Sequence, residues 1–286
     1  MSAQSVAILG PGLIGGSLAL ALTARSSGAT ISLWARRTEA VETIKATGLE
    51  AAVSTDLKSV LADADIVVLA TPIGTMAELA SQLVKVSDPS KPLLITDVGS
   101  VKDSVVTSVS SALEGSPHRF VGSHPMAGSE QAGFEAARSD LFQGAPCIVT
   151  PTPDSEADDV ARIEKFWTDL GCRTQRMAPD AHDQCIGRVS HLPHVVAAVL
   201  ADAALSCDTP THANASGSGL RDSTRIAAGD ADLWLGILSE NREATIHAME
   251  DFQDRFSQVL AFFKDMDDDS LRCYLEHARK LRNTLS

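Results

Sequence analysis

The segment Gly10-Pro11-Gly12-Leu13-Ile14-Gly15 has the G-x-G-x-x-G spacing, ends the β-rich run Ser5–Gly10 and opens a helical pattern that holds Ser17, Leu18 and Leu20. Each glycine has a task in binding a dinucleotide. Gly10 permits a tight turn, Gly12 removes the side chain that would block a pyrophosphate, and Gly15 lets helix and strand pack closely. The helix N-terminus at Leu13 and Ile14 then offers unpaired N–H groups to the phosphates. In NAD sites an acid about 20 residues further on bonds the ribose 2′-hydroxyl. Counted from Gly15, that position is Ala35, followed by Arg36 and Arg37. Two guanidinium groups in place of a carboxylate suit a 2′-phosphate, so the sequence favours NADP over NAD. A solvated arginine pair with no role is the alternative, and would leave both cofactors acceptable.

Loops that follow the strands of a parallel sheet open into the ligand crevice. Three carry polar groups: Thr71-Pro72, Asp97-Val98-Gly99-Ser100-Val101-Lys102, and Gly122-Ser123-His124-Pro125-Met126-Ala127-Gly128-Ser129-Glu130. His124, framed by glycines and a proline at a strand end, is either a structural or a catalytic histidine. Lys102 reads as a surface residue at the start of a helix. Further on, Asp183, Ser190 and His194 stand at i, i+7 and i+11, within ~20° of one helical stripe, and could line a cleft. Pro193 must kink that helix. His182 and His191 read as ordinary bonded histidines. Arg225, three residues beyond Asp222, is either an ion-paired surface residue or a clamp for a carboxylate.

These residues need elements to hold them. Over 1–178 the chain alternates β-rich runs (Ser5–Gly10, Thr30–Ala35, Asp65–Ala70, Pro92–Asp97, Arg119–Gly122, Pro146–Thr150, Cys172–Met177) with helical stretches such as Leu13–Arg25, Thr38–Thr47, Lys102–Leu113 and Ser155–Leu170. That alternation predicts an α/β Rossmann-type, doubly wound parallel sheet with helices on both faces. From 179 to 286 the β signal is absent. His182–Ser206, Leu233–Lys264 and Ser270–Leu285 read as helices, separated by Asn214–Gly219 and the acidic run Asp265–Asp269, so the second domain is expected to be all-helical. Within the long helix, Leu238, Ile246, Met249, Phe252, Phe256, Val259, Leu260 and Phe263 recur mostly at three- and four-residue steps, which suits packing against a second copy or within an intramolecular bundle.

Composition narrows the class. The 286 residues carry Asp+Glu 37 against Lys+Arg 24, a net charge of -13, which opposes binding to nucleic acid or an anionic membrane. The five cysteines are widely spaced without zinc-site patterns, and read as buried free thiols in a reducing compartment. No metal site is expected. The apolar stretch Val6–Ala24 is broken by glycines and a proline, and no run reaches the ~20 apolar residues of a membrane span. A cytoplasmic protein is the expectation.

Taken in order, the strings Gly10–Leu18, Asp97–Lys102, Gly122–Glu130, Ser190-His191-Leu192-Pro193-His194 and Asp222-Ser223-Thr224-Arg225-Ile226-Ala227 resemble the prephenate/arogenate (cyclohexadienyl) dehydrogenases of tyrosine biosynthesis. The resemblance covers nearly the whole chain. It implies a helical dimerisation domain, a homodimer, and oxidative decarboxylation of a cyclohexadienol with hydride transfer to NADP or NAD. It implies that His124 accepts a hydrogen bond from the ring hydroxyl with Ser100 bonded to the same group, and that Arg225 holds a substrate carboxylate. Ser123, Glu130, Asp183, Ser190 and His194 would shape the pocket, with Thr71 beside the cofactor. Ala35 departs from the acid of NAD-dependent members. Rival readings are another two-domain NADP reductase, of the β-hydroxyacid dehydrogenase or pyrroline-carboxylate reductase type, and a non-catalytic NADP-binding sensor. The reductases would want a catalytic Lys or Ser/Thr on the second domain, and the sensor has no need of His124, Ser100 and Arg225 together.

Overall fold

The computed structural model describes residues 5–25, 30–128, 131, 133–207 and 209–285. Strands β1 (Val6–Leu9), β2 (Ile31–Trp34), β3 (Ala52–Ser54), β4 (Ile66–Leu69), β5 (Leu94–Asp97) and β6 (Arg119–Phe120) form one parallel sheet in the order β3-β2-β1-β4-β5-β6. This is the doubly wound order, with its crevice beyond the carboxyl ends of β1 and β4, where the strand order reverses. β1 and β4 read Val-Ala-Ile-Leu and Ile-Val-Val-Leu and are buried at every position, because both faces of a central parallel strand are covered. Helices α1 (Leu13–Ala24), α2 (Thr38–Ala46), α3 (Leu57–Leu61), α4 (Met76–Val86) and α5 (Asp103–Ala112) supply the crossovers. Two apolar clusters result, one built on Ile8, Leu18, Val68 and Trp167, the other on Leu9, Leu69, Leu83 and Val109.

The run Arg119–Gly122 is not one strand. β6 ends at Phe120, and a new strand, β7 (Gly122–Pro125), pairs antiparallel with β8 (Pro146–Thr150), which pairs parallel with β9 (Arg173–Arg176); α6 (Ala157–Asp169) joins β8 to β9. His124 therefore lies within a strand, not in a loop after one. Strand β3 and helix α3 are additions to the elements anticipated from sequence, and α4 fills the place of the helix expected between Asp65–Ala70 and Pro92–Asp97.

After β9 every element is helical: α7 (Pro179–Ile186), a π segment (Gly187–His191), α8 (Leu192–Leu205), α9 (Thr209–Ala215), α10 (Ser218–Thr224), a 3₁₀ turn (Arg225–Ala228), α11 (Ala231–Glu240), α12 (Arg242–Lys264) and α13 (Asp268–Arg282). The proline kink takes the form of that π segment. Pro193 lacks an N–H and its ring would meet the carbonyl of Val189 in a regular helix, so the preceding turn widens. The expected single helix Leu233–Lys264 is two helices, broken at Asn241. Asn241 is buried, and its amide donates to the Asp183 carbonyl (2.9 Å) and to Nδ1 of His191 (3.1 Å).

The apolar positions of α12 are uncovered in the single chain: Phe256 is 63% and Phe263 65% exposed. Two of the five cysteines, Cys147 and Cys172, are buried; Cys185 is half-buried and Cys207 and Cys273 are exposed, so the expectation of five buried thiols fails for three. Among the described residues no helix is long and apolar enough to cross a membrane.

Candidate active site

The crevice beyond β1 and β4 is a cleft of about 1100 Å³ whose walls include Gly10, Gly12, Arg36, Arg37 and Thr71. Gly10 has φ of 114°, and a Cβ there would sit 2.5 Å from the Ala70 carbonyl oxygen. A Cβ on Gly15 would collide with the Gly10 carbonyl, whereas one on Gly12 would meet nothing within 4 Å. The packing of the fold therefore does not require a glycine at position 12. Gly12 caps α1 without a side-chain bond, and the first turn, which includes Leu13 and Ile14, holds no acid, so the positive helix end faces the cleft. Thr71 Oγ1 is buried without a partner, which fits a site completed by a ligand. Arg36 and Arg37 are exposed beside Glu39, an acid on the first turn of α2 that the sequence count passed over. The residues fit a nicotinamide dinucleotide.

A chain of hydrogen bonds starts at His124 on β7. Its Nδ1 lies 2.9 Å from Nε2 of His182, and Nδ1 of His182 lies 2.7 Å from Oδ1 of Asp183. The other carboxylate bonds to Asp183 come from the backbone N–H groups of Lys102 (2.7 Å) and Asp103 (2.9 Å), at the start of α5. Asp183, anticipated as a pocket wall, is instead committed to these three donors. His182, anticipated as an ordinary bonded residue, is in contact with the candidate base. Burial, reinforced by His182 and Lys102, pushes His124 well below the usual histidine range and burial also lowers His182, against the pull of Asp183. Both rings are therefore neutral near pH 7.

Beneath His124 lies an ion pair. Lys102 and Asp97 are both fully buried and in direct contact, and Lys102 Nζ also donates to the Ser123 carbonyl (3.0 Å). Lys102 is thus no surface residue. Burial lowers its pKa while Asp97 opposes the shift. Ser123, anticipated as a substrate contact, is fully buried on the opposite face of β7. Its hydroxyl bonds the Asp97 carbonyl (2.6 Å) and Thr96 (2.7 Å) and accepts from the Trp167 indole (2.9 Å). Alternation along a strand places neighbours on opposite faces, so Ser123 and His124 could not both face one pocket.

Ser100 is half-buried in a loop pinned at both ends, by the Gly99 N–H on Asp97 (2.8 Å) and by the Lys102 N–H on Asp183. Ser190 is half-buried in the π segment, which rotates it and His194 away from the stripe they would share with Asp183 in a regular helix. His194 is 8% exposed, stacks on Trp234 at 3.6 Å between ring centroids, and leaves a buried Nδ1 without a partner. Arg225 is exposed on the 3₁₀ turn and makes no hydrogen bond or ion pair among the described residues. Glu130, anticipated at the pocket, lies outside the described residues. Among the described residues no group of three His, Cys, Asp or Glu could hold a metal ion.

The nucleotide-binding domain of prephenate dehydrogenase matches residues 18–176 and the prephenate dehydrogenase dimerization domain matches residues 178–277. Cyclohexadienyl dehydrogenase of Zymomonas mobilis subsp. mobilis is 32% identical over 286 residues, covering 99% of this chain and 96% of the relative. A crystal structure of prephenate dehydrogenase from A. aeolicus, in complex with hydroxyphenyl propionate and NAD+, superposes with a TM-score of 0.90 at 31% identity, covering 100% of this chain and 99% of that one. Synechocystis arogenate dehydrogenase superposes with a TM-score of 0.85 at 27% identity, covering 99% of this chain and 100% of that one.

Proposed function

The chain belongs to the prephenate dehydrogenase family, and from that premise we propose that it converts prephenate or arogenate by oxidative decarboxylation, with NADP favoured over NAD and His124 as the base. A bound nicotinamide would supply the acceptor for the hydride lost from ring C4 of the substrate. His124 accepts the C4 hydroxyl proton at Nε2, and the ring expels its C1 carboxylate as carbon dioxide and becomes aromatic. Aromatisation supplies the driving force, so the protein must orient the ring and accept one proton.

The observation that carries this reading is the His124–His182–Asp183 chain. An ionised carboxylate only accepts, so Nδ1 of His182 carries a proton and its Nε2 does not. His124 must then donate from Nδ1, which leaves Nε2 as a bare lone pair. Nε2 has no partner among the described residues, as a base awaiting a substrate hydroxyl requires. Ser100, in the loop between β5 and α5, bonds the hydroxyl. Ser190 in the π segment and His194 meet the substrate, and Arg225 holds a carboxylate. Gly10, Gly12, Gly15, Leu13 and Ile14 take the pyrophosphate, with Arg36 and Arg37 at the 2′-phosphate and Thr71 nearby. Glu39 on the wall of the same cleft favours a second reading, in which it bonds the ribose 2′-hydroxyl of NAD.

We place the domain division between 178 and 179 and infer a homodimer, supported by the dimerization-domain match and by the bare apolar face of α12. A monomer mass in light scattering would remove the dimer. The function is tested by supplying NADP or NAD with prephenate or arogenate and following reduced cofactor. Turnover of at least one substrate, fastest with NADP, is expected; no reduction with either would overturn the reading.

A further inference from the structure

We propose that His182 is a positioning residue that fixes His124 in the tautomer protonated at Nδ1, so that the base is assembled only when the helical domain docks on the sheet domain. The inference rests on the reading of His124 as the base and adds how its lone pair is aimed. His124 belongs to β7; His182 and Asp183 belong to the first turns of α7, the first helix of the other domain. A histidine in water prefers the tautomer protonated at Nε2, which would present a donor to the substrate hydroxyl and could not take its proton. His182 reverses that preference because its Nε2, stripped of a proton by the bond from Nδ1 to Asp183, can only accept.

The groups around His182 leave no other source for that proton pattern. Lys102 on the β5–α5 side has its ammonium on Asp97 and the Ser123 carbonyl, and meets Asp183 only through its backbone N–H. Asp97 is engaged by Lys102, Gly99 and Ser123. His191 points its Nδ1 to the Asn241 amide, whose other bond goes to the Asp183 carbonyl. The carboxylate that orients His182 also accepts from two N–H groups at the start of α5. The loop bearing Ser100 and the ring bearing the base are therefore held by one side chain.

The test uses nitrogen NMR of the full chain labelled at histidine, since the nitrogen shift separates a protonated from a bare ring nitrogen. In the wild type at neutral pH, His124 should show Nδ1 protonated and Nε2 bare. His182→Leu should lose that pattern and lower kcat about 10–100-fold with KM little changed, as removal of an imidazole's orienting partner typically does. His182→Gln offers an acceptor oxygen to His124 and an amide donor to Asp183, and should restore most of kcat and the wild-type pattern. A wild-type His124 protonated at Nε2 overturns the proposal, and so does a His182→Leu protein with unchanged tautomer and kcat. The tautomer is read without substrate. A chain that oxidises neither prephenate nor arogenate yet shows this tautomer would defeat the proposed function and leave the positioning role standing.

Discussion

Nε2 of His182 lies 2.9 Å from Nδ1 of His124, a hydrogen bond between residues 58 positions apart that joins the edge sheet to the first helix of the helical domain. With His124 as the proposed base, the bond would tie proton transfer on the sheet to the docking of that domain. The chain's net charge of -13 does not bar anionic ligands, because positive groups are placed locally: Arg36 and Arg37 line the cleft, and the N-terminal end of α1 follows Gly12.

The pair Lys102–Asp97 makes a prediction about stability. Removing one partner strands a buried charge, which typically costs about 3–5 kcal/mol, whereas replacing both by apolar groups is often nearly neutral. Lys102→Met and Asp97→Leu should each lower the urea midpoint strongly, and the double variant should recover much of the loss. Additive losses in the double variant would contradict the pairing.

The glycine turn separates folding from binding. Gly15→Ala should destabilise the protein, because its Cβ would strike the Gly10 carbonyl. Gly12→Ala meets only open space and should melt like the wild type. Its dinucleotide Kd should rise roughly 10–100-fold, the equivalent of about 1–3 kcal/mol of overpacking. Calorimetric titration showing unchanged affinity would remove Gly12 from the pyrophosphate site.

Acid should act twice. His124 works neutral and is held well below 6.5 by burial, so kcat/KM should stay level as pH falls through 6.5 and decline only below it. His118, His124, His182 and His194 are all lowered in the folded chain, and burial brings His191 down to about 4. Below 6.5 the unfolded chain therefore binds more protons than the folded one. Stability is fully present above that value and is lost as pH falls from it towards the folded values. Urea midpoints that were equal at about pH 7.5 and about pH 5 would contradict this linkage.

Arg225 stands outside the buried cluster, on an exposed turn. As a carboxylate clamp it should contribute to binding and not to the chemical step. Arg225→Ala should raise the substrate KM about 10–100-fold, the worth of one charge-assisted bond, with kcat largely kept. An unchanged KM would remove it from that role.

Much of the frame was legible because its signals are local. The glycine spacing followed a strand and opened a helix, and the alternation after it gave the doubly wound sheet. His124 drew attention through its glycine and proline neighbours, but its membership of β7 did not, since Gly-Ser-His-Pro lacks the apolar alternation of a strand. Strand β3, three residues long, is below what a pattern can carry. Lys102 departs from its surface reading, and the bonded His182 has a partner on β7 that the sequence does not name, for one reason: these partners are tertiary. A lysine is normally a surface residue, and only the approach of Asp97, five positions earlier at the end of β5, makes a buried one tolerable. Asp97 and Lys102 flanking one strand-end loop was the available hint. Asn241 broke the long helix for a similar reason, its amide serving Asp183 and His191.

The central claim is that Nε2 of His124 takes the substrate's proton, and the most direct measurement is kcat of His124→Asn beside the wild type at saturating prephenate or arogenate and cofactor. A positioned general base contributes typically 10²–10⁴-fold, so kcat should fall at least about a hundredfold with little change in KM. Near-wild-type turnover in the variant would contradict the account.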